Sequence, residues 1–107
     1  ERPRLERRDR PDLALALALV HHLAIGANVP LASVVDWLAG LGAALVVEFP
    51  TREDPMVARL LSRKREGAHP EYELERFEAL LAERFEVSRR EARGSRVLFE
   101  ARPRSTR

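Results

Sequence analysis

Residues 13–20 are apolar throughout, and leucine and alanine alternate along them. On a strand, one face would carry Leu13, Leu15, Leu17 and Leu19, and the other Ala14, Ala16, Ala18 and Val20. Neither face is polar. The spacing therefore predicts a strand inside a sheet covered by helices on both faces, as in parallel α/β folds. His21 and His22 follow where the apolar run ends. In such sheets the carboxyl end of a strand is where ligands sit.

The pattern then changes period. Residues 23–29 hold Gly26 and Asn28 and read as a loop or short turn, after which Pro30 can open a helix. Leu31, Val34, Val35, Leu38 and Leu41 form its stripe, Trp37 is expected in the core with them, and Gly42 is the stop. Residues 43–49 are short, apolar and partly β-branched, a second buried strand carrying Glu48 near its end before Pro50. Strand, helix and strand make a βαβ unit with a right-handed crossover.

A long connection over 51–72 begins with Asp54-Pro55, an N-cap followed by proline at the first helical position. Met56, Val57, Leu60 and Leu61 give that helix its stripe, it ends near 63–65, and Gly67 and Pro70 mark a loop carrying His69. A third helix is expected over 72–84 on Leu74, Phe77, Leu80 and Leu81, with Phe77 in the core. Residues 85–91 start by alternating and end fully polar, which suits an edge strand. Residues 92–95 turn the chain into a last strand over 97–101, antiparallel by hairpin logic. The lead-in 1–11 and the tail 103–107 are expected to be irregular or disordered, with 12–102 as the folded part.

Composition changes this picture little. At 107 residues the chain is one domain or part of one, and its 45% hydrophobic and 34% charged residues suit a globular fold. The formal charge is only +2, and the arginines crowd the two ends without stacking aromatics, so solvated tails are expected and a nucleic-acid partner is not. Cysteine is absent, which excludes disulfides and thiolate metal sites. The basic start and apolar run imitate a secretory signal, but Glu6, Asp9 and Asp12 lie in the would-be basic region. No stretch reaches the ~20 apolar residues of a membrane span, so no membrane partner and a cytoplasmic location are expected.

Candidate chemistry gathers at predicted strand ends. His21 and His22 are the candidate catalytic groups, although neighbours on a strand point to opposite faces and would not act as a pair. Glu48 closes an apolar strand and suits a base or a substrate contact. Arg52, Arg63, His69 and Tyr72 lie along the long connection and could recognise a substrate. A metal site built from His21, His22, Glu48 and His69 lacks ligand spacing, and none is expected. Asp54 is explained by helix capping, and Asp12 opens its strand at the wrong end for chemistry.

The assembled order resembles the carboxyl-terminal half of a class I S-adenosylmethionine-dependent methyltransferase, whose sheet ends in an antiparallel hairpin. More specifically, the segments 12–23, Asn28-Val29-Pro30-Leu31, Leu45-Val46-Val47-Glu48-Phe49, Asp54-Pro55-Met56-Val57, His69-Pro70-Glu71-Tyr72 and Phe85-Glu86-Val87 are similar to a bacterial group of methyltransferases related to nodulation proteins. The resemblance covers nearly the whole chain.

The resemblance implies a partial Rossmann-like sheet of four strands, in spatial order first, second, fourth, third, with the last strand antiparallel and about three helices. It implies S-adenosylmethionine as cofactor, approached by His21, and a small-molecule or glycan-like methyl acceptor contacted by Glu48, Arg52, His69 and Tyr72. The chain departs from the family in lacking a glycine-rich turn after a first strand and an acid closing a second, so the chain alone is expected to be inactive. The first strand becomes an exposed apolar edge, open to self-association. The competing reading is a non-enzymatic α/β module binding a protein or polyanion.

Overall fold

The computed structural model describes residues 13–104. The lead-in expected over 1–11 and the end of the expected tail, 105–107, lie outside the described residues. The strands are β1 (Leu13–Ala16), β2 (Ala44–Pro50), β3 (Phe85–Arg93) and β4 (Arg96–Pro103). The helical elements are α1 (a π-helix, His22–Gly26), α2 (Leu31–Gly40), α3 (Pro55–Ser62) and α4 (Leu74–Arg84). The strands form one mixed sheet ordered β1-β2-β4-β3, with β1 parallel to β2 and β4 antiparallel to β2 and β3. Fold class and strand order are those expected, with α1 as an additional helical element.

Local chemistry explains most of the boundaries. The Asp54 carboxylate accepts from Met56 N at 2.9 Å, capping α3 just before Pro55. Past the end of α2, Gly42 takes φ 68°, a left-handed conformation that glycine adopts freely. Gly94 takes φ 59° as the first residue of the two-residue turn between β3 and β4, where a tight hairpin favours glycine.

The core lies on one face of the sheet. Leu45, Val47 and Phe49 of β2 and Val97, Phe99 and Ala101 of β4 pack with Leu31, Val34, Val35 and Leu38 of α2 and Phe77, Leu80 and Leu81 of α4. Rings run through this layer from Tyr72 to Phe49 (4.6 Å between centroids), to Phe77 (4.8 Å) and to Phe99 (5.9 Å). Offset aromatic pairs of this kind add to the area they bury.

Two expectations for the first strand need correction. It spans four residues rather than eight, because the chain turns at Leu17-Ala18, where Ala18 takes φ 55°. Residues 22–26 form the π-helix α1, where 23–29 was expected to be a loop or short turn. Leucine and alanine are strong helix formers and alanine is also a weak strand former, so alternation alone did not hold the run extended. Nor is β1 covered on both faces: Ala16 is buried, whereas Leu13 and Leu15 on the other face are 52% and 65% exposed.

Trp37 is also corrected, being 54% exposed rather than core. The inward stripe of α2 runs through Val34, Val35 and Leu38, and Trp37 sits beside it. There it borders an apolar groove of about 380 Å³ with Leu19, Leu23, Val29 and Val34. Phe77 is fully buried, as expected.

Candidate functional site

The two parallel strands deliver their ends to the same place. At Ala18 the chain leaves β1 with a positive φ, which costs an alanine about 1–2 kcal/mol. The bent backbone has a partner there: Ala18 N donates to Glu48 Oε1 at 3.3 Å, linking the turn after β1 to β2. Val20 and His21 are helical, and the π-helix follows, closed by Ala27 N donating to His22 O at 2.9 Å. π-Helical turns are rare and occur often at functional sites.

This geometry separates the roles of the two histidines. His21 is buried, whereas His22 is exposed, yet their rings lie 4.3 Å apart at 34°. Because they lie on a helical segment rather than at a strand end, the two rings stay together. Among the described residues, His21 Nδ1 is buried without a hydrogen-bond partner. Burial is the main cause that holds the His21 pKa below its ordinary value, and His22 and Arg96 push the same way against Asp54 and Glu48. A neutral imidazole is therefore the form that the fold favours.

Glu48 and Asp54 share one cation. Arg96, the first residue of β4, donates Nε to Asp54 Oδ2 at 2.7 Å and Nη2 to Asp54 Oδ1 at 3.3 Å. Its remaining nitrogen, Nη1, reaches Glu48 Oε1 at 3.0 Å. Ser95 Oγ donates to Asp54 Oδ2 at 2.8 Å, and Thr51 Oγ1 donates to Ser95 O at 2.8 Å, so the β3–β4 turn is fastened to the end of β2 and the start of α3. The Arg96 hydrogen bonds are the main cause that depresses the Asp54 pKa well below the carboxylate range, and Asp54 in turn raises that of Arg96.

The other candidates gather elsewhere. Arg52 Nε donates to Tyr72 O at 3.0 Å and Nη2 donates to His69 O, while Glu73 pairs with the same guanidinium at 3.1 Å. Arg52 thus braces the 69–73 segment. Tyr72 is fully buried, stacked on Phe49, and donates its hydroxyl to Pro50 O at 2.6 Å. Burial pushes its pKa up. His69 takes φ 57° and borders a recess of about 540 Å³ with Asn28, Lys64 and Arg65. A neighbouring recess of about 510 Å³ is lined by Arg52, Leu61, Arg65 and Pro70. Neither recess is lined by His21, His22 or Glu48. Arg63 is exposed just past α3.

The structure therefore brings His21, His22 and Glu48 to one end of the sheet and leaves Arg52, His69 and Tyr72 as a separate group. Sequence reasoning missed Arg96 and Ser95. Asp54 hinted at them only as a cap, because its second role depends on a hairpin 41 and 42 residues later. Chemically, the cluster offers a neutral buried imidazole, an accessible imidazole against it, and a carboxylate held by a fixed cation. Among the described residues no group of three or more His, Asp or Glu gathers to hold a metal ion. No helix among them is long and apolar enough to cross a membrane.

Comparison with known proteins gives one similarity of note. The chain is 40% identical over 87 residues to the nodulation protein NoeA of Rhizobium meliloti (strain 1021), a match covering 81% of this chain. It spans only 18% of that relative's length. No family model matches the chain. No solved structure matches it either.

Proposed function

We propose that this chain forms the acceptor side of an S-adenosylmethionine-dependent methyltransferase that acts on a small or glycan-like acceptor. The observation that carries the reading is the sheet order β1-β2-β4-β3 with an antiparallel β4 between β2 and β3, and the histidine pair and Glu48 at the carboxyl ends of the parallel strands. That is the end at which α/β sheets bind ligands. Similarity to NoeA over 81% of the chain is compatible with it.

S-adenosylmethionine would supply a methyl group already activated on a sulfonium, leaving the protein to position the acceptor and manage its proton. Of the residues present, His21 fits a contact with the cofactor, since its buried Nδ1 has no partner among the described residues. A glycine-rich turn to grip it is absent from the 107 residues, so the chain alone is inactive in this reading. His22 is the accessible imidazole and takes the proton of an acceptor hydroxyl. Glu48 orients that acceptor through its second oxygen, its hydrogen bonds among the described residues falling on Oε1. In this reading Arg52 and His69, which each border a recess apart from the histidines and Glu48, contact a more distant part of the acceptor, and a cytoplasmic location goes with it. The test is methyl-labelled S-adenosylmethionine incubated with the full-length gene product and a panel of sugar, lipid, protein and metabolite acceptors. Label transfer to one acceptor class supports the reading, and none across the panel counts against it.

A second reading has its own observation. Leu13, Leu15 and Leu17 are each more than half exposed on or beside a strand with one free edge. Such an edge suits protein association, either with a second copy or with another polypeptide.

A further inference from the structure

We propose that Arg96 is the positioning residue of this site, setting through Glu48 the turn that places His21 and His22. Arg96 lies on β4, remote in sequence from every candidate group, yet its side chain joins β4 to the start of α3 and to β2 at the carboxyl end of the sheet. Two of its nitrogens hold Asp54, the cap of α3, and the third holds Glu48 Oε1. The same oxygen accepts the N–H of Ala18, the residue with φ 55° at which the chain leaves β1 and enters the histidine segment. Each link is therefore fixed by the one before it: Asp54 fixes the guanidinium, the guanidinium fixes the carboxylate, and the carboxylate holds the strained turn.

The planar fork matters to this role. Guanidinium satisfies Asp54 with two donors while a third points at Glu48, whereas an ammonium is a point charge that cannot hold both carboxylates in a set orientation. The Asp54 side chain is 4% exposed and that of Arg96 28%, so the pair is shielded enough to keep its geometry. Arg96 also acts on His21 by its charge, alongside Asp54, Glu48 and His22.

The proposal rests on reading this cluster as the acceptor side of a methyltransferase, but its test needs no methyl transfer. Amide exchange and imidazole titration are followed by NMR on the 107-residue chain, native and with Arg96→Met or Arg96→Lys. In both variants the Ala18 amide is expected to exchange at least tenfold faster while Val47, in the middle of β2, keeps its protection. The His21 midpoint is expected to rise in Arg96→Met and to stay near native in Arg96→Lys, which retains the charge. A purely structural role would lower the melting temperature and speed Ala18 and Val47 exchange alike, leaving their ratio native. Native Ala18 exchange together with a native His21 midpoint in folded Arg96→Met overturns the proposal. Should Arg96→Met not fold, Arg96→Lys decides it by Ala18 exchange alone. A chain that passes while the full-length product transfers no methyl would uphold the positioning role and reject the reaction.

Discussion

Arg96 Nε stands 2.7 Å from Asp54 Oδ2, an ion pair spanning 42 residues that ties the β3–β4 hairpin to the N-terminus of α3. Asp54 also caps that helix through Met56 N. Asp54→Ala removes both functions and leaves Arg96 facing Glu48 alone. The expected loss is about 2–4 kcal/mol, a lost cap together with a broken pair that costs less than a fully buried one because the Arg96 side chain is 28% exposed. Urea unfolding of the variant against the native chain measures it, and a loss within experimental error would contradict this account of the pair.

The same pair makes stability depend on acid. Asp54 titrates lower in the folded chain than unfolded, so its contribution is complete above the unfolded carboxyl range of about 4 and declines as pH falls further. His21 acts earlier. Its folded pKa is lowered, so the unfolded chain binds the proton more readily, and stability declines as pH falls below the unfolded imidazole value of about 6.5. Melting temperature should therefore fall between pH 7 and 5, and again below pH 4. In His21→Leu the first decline should vanish, with stability at pH 7 near or above native because an unpartnered buried nitrogen is gone.

Much of this architecture was legible in the chain because local rules and tertiary needs agreed. Asp54-Pro55 capped α3 as expected, the α4 stripe of Phe77, Leu80 and Leu81 is buried, and the turn at Gly94 returned an antiparallel strand. The failures have separate causes. Leu13 to Leu19 alternates like a strand but consists of leucine and alanine, which are content in a helix, and the bend at Ala18 is held by a partner 30 residues away, Glu48. Trp37 was misplaced because a stripe at helical spacing predicts a face, not how far a neighbour extends around it. Glu48 and the histidines stood out as polar groups at the ends of apolar runs. Arg96 did not, since one arginine among many on a polar hairpin carries no local mark.

Tyr72 shows how a polar candidate can be taken up by the core. Its hydroxyl is bonded to Pro50 O, and its ring is stacked on Phe49. Tyr72→Phe keeps the stack and removes one buried hydrogen bond, leaving Pro50 O unpartnered by it. A stability loss of about 1–2 kcal/mol is expected, with no change in acceptor affinity. Thermal unfolding and substrate titration of the variant check the two halves.

The open side of β1 gives a surface prediction. Leu15 is 65% exposed on an edge strand, so Leu15→Glu should change folding stability by less than about 0.5 kcal/mol. It should also weaken any concentration-dependent self-association seen by sedimentation velocity. Association that survives the substitution would place the contact elsewhere.

The reaction itself is tested most directly by methyl transfer from labelled S-adenosylmethionine, catalysed by the full-length gene product carrying His22→Ala or Glu48→Gln in turn. Loss of the accessible imidazole should lower turnover of a hydroxyl acceptor about 100-fold or more, as removal of a general base does. Glu48→Gln should chiefly raise the acceptor KM. Native turnover and native KM in both folded variants would contradict the assignment of this end of the sheet as the acceptor site.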